Sequence, residues 1–155
     1  MNRIRRLADI GIVLLVTVLT MGMGYLFIDT GSWYHSLTKP SLPISAVSLG
    51  IGIGIVYAMS AVSAALVCST DSPIGKKVLN LYGISGLLNV FWVYLFFYKQ
   101  NLTAALLDIL LLLFLAYLMI RVTRKTAVWS AVLFIPYGLW LLLILMFNYV
   151  IIMLN

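Results

Sequence analysis

The sequence predicts an all-α membrane protein built as a five-transmembrane-helix bundle. Three observations carry that prediction: five long apolar runs, a scarcity of charge, and the one-sided placement of the cations. Hydrophobic residues make up 64% of the 155-residue chain and charged residues 9%, with no glutamate. So little polar surface cannot solvate a water-soluble fold of this size. The runs are continuous, whereas the strands of a membrane barrel would be short and alternating, which disfavours a barrel. Each run has the roughly 17 to 25 residues that a helix needs to cross about 30 Å of hydrocarbon.

The first run, Leu7 to Phe27, follows Arg3, Arg5 and Arg6. Basic residues, an apolar stretch and Gly22 and Gly24 outline a secretory signal. The run is longer than the apolar core of such a segment, however, and predicts an uncleaved first helix. The second run, Ala46 to Cys68, contains Gly50, Gly52 and Gly54, then Ala58, Ala61 and Ala65. Gly50 and Gly54 have the spacing that lets two helix backbones approach, within the bundle or between two protomers, with Ala58 continuing that face. The same glycines do not make a nucleotide loop, because no strand precedes them. Cys68 is the single cysteine, which rules out an intramolecular disulfide and disfavours a cysteine metal cluster.

The third run, Val78 to Tyr98, places Asn89, Trp92 and Phe96 at helical spacing on one face. The fourth, Thr103 to Ile120, carries Asp108 about one and a half turns in, where a carboxylate costs roughly 2.5 to 3.5 kcal/mol at the bilayer centre. The fifth, Val128 to Ile152, repeats Pro136, Trp140 and Phe147 near one face and carries Asn148 close to its end. Pro136 frees the carbonyl one turn earlier, that of Val132, and can bend the helix.

Three of the four connections are short, so neighbouring helices are expected to pack antiparallel in a single domain over residues 1–155. The exception is Asp29 to Ser45, which is polar and aromatic. Pro40 and Pro43 hold it extended, and Trp33 and Tyr34 suit the headgroup zone. It reads either as an aromatic belt or as a lid.

The net charge of +6 is a topology signal rather than a nucleic-acid footprint. Arg3, Arg5, Arg6, Lys76, Lys77, Arg121, Arg124 and Lys125 fall on one side of five alternating spans, and Lys39 and Lys99 on the other. That bias puts the N-terminus in the cytoplasm and the C-terminus outside. Asp108 and Asn148 then lie in the outer half, under the lid. Aromatic walls, a few amides, one carboxylate and a polar lid describe a cavity for a flat, mostly apolar ligand. The lone histidine, His35, sits on the loop, and no nucleophile, histidine and carboxylate converge.

Four segments, in order, resemble the TspO/translocator protein family, also called tryptophan-rich sensory proteins or peripheral-type benzodiazepine receptors. WYHSLTKP at Trp33 to Pro40 is similar to the family's first loop, and LLNVFWVYLFF at Leu87 to Phe97 to its third helix. AALLDILLL at Ala104 to Leu112 resembles the fourth helix, and IPYGLWLLLILMFN at Ile135 to Asn148 the fifth. The resemblance implies a TspO-like bundle, often a homodimer, that takes porphyrins, haem, sterols and synthetic aromatic ligands beneath the first loop. It requires no cofactor or metal and gives the porphyrin or haem as ligand.

Carried over by residue, the lid is Trp33, Tyr34, Lys39 and Pro40. The walls are Tyr57, Asn89, Trp92, Phe96, Asp108, Pro136, Trp140, Phe147 and Asn148. Two departures change the pocket. Ile53 stands where family members commonly have a tryptophan, and Ile144 where they have a small residue. The first removes one of the paired tryptophans on which the family's porphyrin-degrading chemistry depends. The sequence thus leaves a tetrapyrrole receptor or carrier in a bacterial cell membrane beside two alternatives: a light-dependent porphyrin-degrading enzyme, and an ion-coupled exporter built around Asp108.

Overall fold

The computed structural model describes residues 3–29, 31–40, 46–68 and 73–155. Helix α1 runs Arg3–Phe27, α2 is a single turn at Ser32–Ser36, and α3 is Ala46–Cys68. Helix α4 is Pro73–Val93 and continues into a π-helical turn at Tyr94–Tyr98. Helices α5 and α6 are Leu102–Thr123 and Val128–Leu154. Five of them, all but α2, are long and apolar enough to cross a membrane, and the described residues form no strand. The expected all-α, five-span architecture is what the chain adopts.

Some bounds differ from the expected ones for simple reasons. Helix α4 starts at Pro73 rather than Val78, so Lys76 and Lys77 are exposed residues of its first turns and not of a loop. Proline needs no N–H partner at a helix start, and a helix of 26 residues, counting the π turn, outruns the hydrocarbon and keeps its cations in water. Helix α5 continues to Thr123, which takes Arg121 into the helix beside Tyr117. The lid segment, expected to be extended, contains α2. Pro43 lies outside the described residues.

The spans form a ring. Helix α1 packs on α3, α3 on α6, α6 on α5, α5 on α4 and α4 back on α1, with α3 and α4 also touching across the ring. Lipid is as apolar as the side chains, so burying leucine drives little association; close packing and interhelical hydrogen bonds do that work. The seams are accordingly lined by small residues. Ser60, Ala61, Ser63 and Ala64 of α3 are buried, as are Ser85 and Gly86 of α4, Ala105 and Ala116 of α5, and Ser130 and Ala131 of α6. Ser63 donates to the Ser130 carbonyl and joins α3 to α6.

The close approach of backbones falls elsewhere than the Gly50–Gly54 spacing suggested. A methyl group added at Gly54 would meet nothing within 4 Å, and Ala58 is exposed, so this face does not seat another helix of the chain. The surroundings of Gly50 lie outside the described residues. The tight site is Gly86, where an added Cβ would come within 2.6 Å of Thr20 Oγ1 and 3.0 Å of Val16 Cγ1 on α1. A glycine spacing reports only that approach is sterically allowed, and the face that uses it is set by where the partner helix lies.

Gly86→Val should therefore push α1 off α4 and cost about 1 to 3 kcal/mol by overpacking. Gly54→Ala should leave stability nearly unchanged. Thermal unfolding of the two purified variants in detergent checks the contrast.

Candidate functional site

A cavity of about 350 Å³ opens between the helices at the lid end of the ring. Helix α1 contributes Thr20, Met21, Gly24 and Tyr25, Ile28 follows just past its end, and α2 contributes Tyr34. Ile53 and Tyr57 come from α3; Asn89, Trp92, Val93 and Phe97 from α4 and its π turn; Trp140, Leu143, Ile144 and Phe147 from α6. The volume is within the range that takes a small organic ligand, and the lining is predominantly aromatic and aliphatic.

The structure thus brings together Tyr34, Ile53, Tyr57, Asn89, Trp92, Trp140, Ile144 and Phe147 of the residues singled out from sequence. It sets others apart. Phe96 is fully buried against Ala105 and Ile151, in the cluster behind the wall, and Phe97 takes the wall position instead. The π turn causes this exchange. The Lys99 amide donates to the Tyr94 carbonyl five residues back, at 2.9 Å, and the wider turn shifts the face that a 3.6-residue period assigns. Trp92 and Phe97, five apart, therefore share the cavity. The turn ends at Gln100, which adopts a left-handed φ of 53°, and Asn101 then caps α5 by accepting from the Ala104 amide at 2.9 Å.

Asp108, Asn148 and Pro136 were expected in the wall and do not line the cavity. Pro136 sits one turn below Trp140, inside α6. Asp108 and Asn148 are buried behind the wall, at 6% and 0% exposure. They fall one turn from Ala105 and Ile151, as Trp92 falls one turn from Phe96, which puts the three polar side chains at a common depth, as one layer on α4, α5 and α6. Within that layer Asp108 Oδ2, Trp92 Nε1 and both amide atoms of Asn148 have no hydrogen-bond partner among the described residues.

The lid is braced from within. Trp33 packs edge-on against Phe96 at 6.0 Å, and Tyr34 lies 5.6 Å from the ring of Phe97. The Lys39 ammonium stands 4.4 Å from the centroid of the Tyr34 ring and donates to the carbonyls of Tyr34 and Leu37. Lys39, expected near the ligand, thus holds α2 in shape. Pro40 follows it, half-buried, off the cavity wall. Thr38 and Asn155 exchange two hydrogen bonds: the Thr38 amide donates to Asn155 Oδ1 at 2.9 Å, and Asn155 Nδ2 donates back to the Thr38 carbonyl at 3.1 Å. The lid is latched to the end of α6.

The deep end of the cavity is polar. Tyr57 OH donates to Asn89 Oδ1 at 2.9 Å, and Asn89 Nδ2 donates to the Ser85 carbonyl and to Tyr137 OH, each at 2.7 Å. Ser85 Oγ and Tyr137 OH are 2.7 Å apart, and Thr17 Oγ1 lies 2.8 Å from Tyr82 OH. Thr20, Tyr57 and Asn89 separate the cavity from a void of about 10 Å³ lined by these hydroxyls, enough for one water. The α1 wall and the Tyr137–Ser85 part of this floor escaped the sequence reading. A stripe at Thr20, Gly24 and Ile28 is present as a four-residue period, but nothing in residue type marks it as a wall.

An aromatic cavity among spanning helices, floored by hydroxyls and roofed by a latched loop, defines a multi-pass membrane protein with an internal ligand-sized site. The chain belongs to the TspO/MBR family, whose pattern matches residues 11–154. It is 36% identical over 118 residues to the uncharacterized membrane protein YtaB of Bacillus subtilis, covering 76% of each chain. It is also 29% identical over 131 residues to the tryptophan-rich protein TspO of Bacillus cereus, covering 82% of this chain and 86% of that one.

Asn155→Ala removes both latch bonds, each worth about 0.5 to 1.5 kcal/mol. Exchange of backbone amides in 32–38 should accelerate about tenfold, with α5 and α6 unaffected, as read by hydrogen–deuterium exchange.

Proposed function

We propose that the protein is a membrane receptor or carrier that binds flat, largely apolar ligands, tetrapyrroles such as protoporphyrin or haem among them, in the cavity under the lid. The observation that carries this reading is the wall itself: Tyr34, Tyr57, Trp92, Phe97, Trp140 and Phe147 around about 350 Å³, with no charged side chain among the described residues of the lining. Rings stack on such walls for about 0.5 to 1.5 kcal/mol each beyond the area they bury. Sterols and drug-like aromatics suit the same surface. The family membership, with a relative named for its tryptophans, supports a sensory or transport role.

The light-dependent enzyme is the weaker alternative, because Ile53 makes that part of the wall aliphatic. The ion-coupled exporter is weaker too, since Asp108 stands behind the wall, where it cannot touch a ligand. In a bacterial cell membrane, the cation bias orients the lid outward and the N-terminus into the cytoplasm. The open face of α3 at Gly54 and Ala58 supports pairing with a second copy into a homodimer.

Protoporphyrin titrated into the detergent-purified protein should quench tryptophan emission, and Trp140→Ala should weaken that binding about three- to tenfold. Unchanged fluorescence in both proteins ends the reading. Illuminating the complex should leave the porphyrin absorption spectrum intact, and bleaching of the bands would establish the enzyme instead. Ala58→Cys should give a disulfide-linked pair on oxidation in membranes, whereas the buried Cys68 alone should not.

A further inference from the structure

The cavity has two ends of different chemistry, and the deep one has a direction. The Ser85 carbonyl can only accept, so the amide of Asn89 must turn its NH₂ toward it, which fixes Oδ1 toward Tyr57. Both protons of that NH₂ are then committed, one to the Ser85 carbonyl and one to Tyr137 OH. Tyr57 has a single proton and gives it to Asn89 Oδ1. What the pair has left, at the boundary it forms with the cavity, is lone pairs: one at Asn89 Oδ1 and two at Tyr57 OH. Thr20 Oγ1 adds a rotatable hydroxyl that can take either role. Among the described residues the lining contains no cation.

We infer that the floor formed by Asn89 and Tyr57 is a hydrogen-bond acceptor that selects, among flat apolar molecules, those carrying a neutral O–H or N–H donor at the end that enters first. This rests on the binding reading above and deepens it. A carboxylate at that end would face lone pairs in a low-dielectric site with no compensating charge, so anionic groups stay toward the lid. An ether or ketone at the floor would likewise meet an acceptor, with only Thr20 able to turn a proton toward it. A hydroxyl finds a partner without disturbing any bond already made. The committed donors therefore turn a greasy cavity into one that reads polarity and orientation.

The test uses three probes of nearly one shape: pyrene, 1-methoxypyrene and 1-hydroxypyrene. Each is titrated into the detergent-purified full chain, energy transfer from tryptophan is followed, and affinities are expressed per detergent-dissolved probe. The expected order is 1-hydroxypyrene tightest by about fivefold or more, with the methoxy compound no tighter than pyrene. In Asn89→Leu the ratio of 1-hydroxypyrene to pyrene affinity should fall to about one, whatever the variant does to pyrene binding itself. The wild-type order stands without any variant, so an unfolded Asn89→Leu leaves the inference testable. Equal affinities for all three probes, or a methoxy compound as tight as the hydroxy one, overturn the acceptor floor and leave the binding reading intact. Binding of none of them ends both.

Discussion

Asn89 is the point on which the arrangement of the bundle turns. Lipid offers helices no hydrophobic reason to associate, so their relative positions are set by steric fit and by polar groups that have nowhere else to go. Asn89 carries such a group about one turn before the end of α4 and spends it on three helices at once: its own at Ser85, α3 at Tyr57 and α6 at Tyr137. Those three elements carry most of the cavity wall. Helix α1 joins them a turn or two away, through the Thr17–Tyr82 bond and the Thr20–Gly86 contact. Structural cohesion and the polarity of the site are thus properties of one network, and a substitution there changes both.

The five spans were legible because hydrophobic length is a signal that survives without any knowledge of packing. The aromatic half of the site was legible for a related reason, since Trp92, Trp140 and Phe147 sit on regular helical spacing and the helices there are regular. Phe96 was misplaced where regularity ends, at a π turn that the run YLFFY does not announce. The misplacing of Asp108 and Asn148 has another cause. Depth in the membrane follows from counting residues, but the direction a side chain faces depends on which neighbour fills the adjoining groove. Gly86 and the α1 wall were missed on the same ground, because a close approach is a property of two helices and the reading had one at a time.

The layer of partnerless polar atoms on Asp108, Asn148 and Trp92, the last itself a residue of the wall, is costly by any accounting of buried polar groups. Its position on α4, α5 and α6, at the aromatic wall and immediately behind it, shows that the helix forming no part of the cavity lining is still tied to it through the side chains that back it. Phe96, Ala105 and Ile151 close the layer on the lid side, where Trp33 rests on Phe96. The roof of the site and its hidden polar layer are therefore one stack.

Helix α1 is the wall with the most surface turned to lipid: Leu14, Leu15 and Val18 are each more than half exposed, and Tyr25, on the cavity lining, is 77% exposed. A molecule dissolved among the acyl chains would meet this side of the cavity first. For a ligand that enters by this side, occupancy would follow how strongly the compound partitions into the bilayer, since the membrane concentrates greasy solutes far above their aqueous level. Two compounds with equal intrinsic fit can differ widely in apparent potency for that reason alone, and a shift in lipid composition alters the ranking without touching a single side chain.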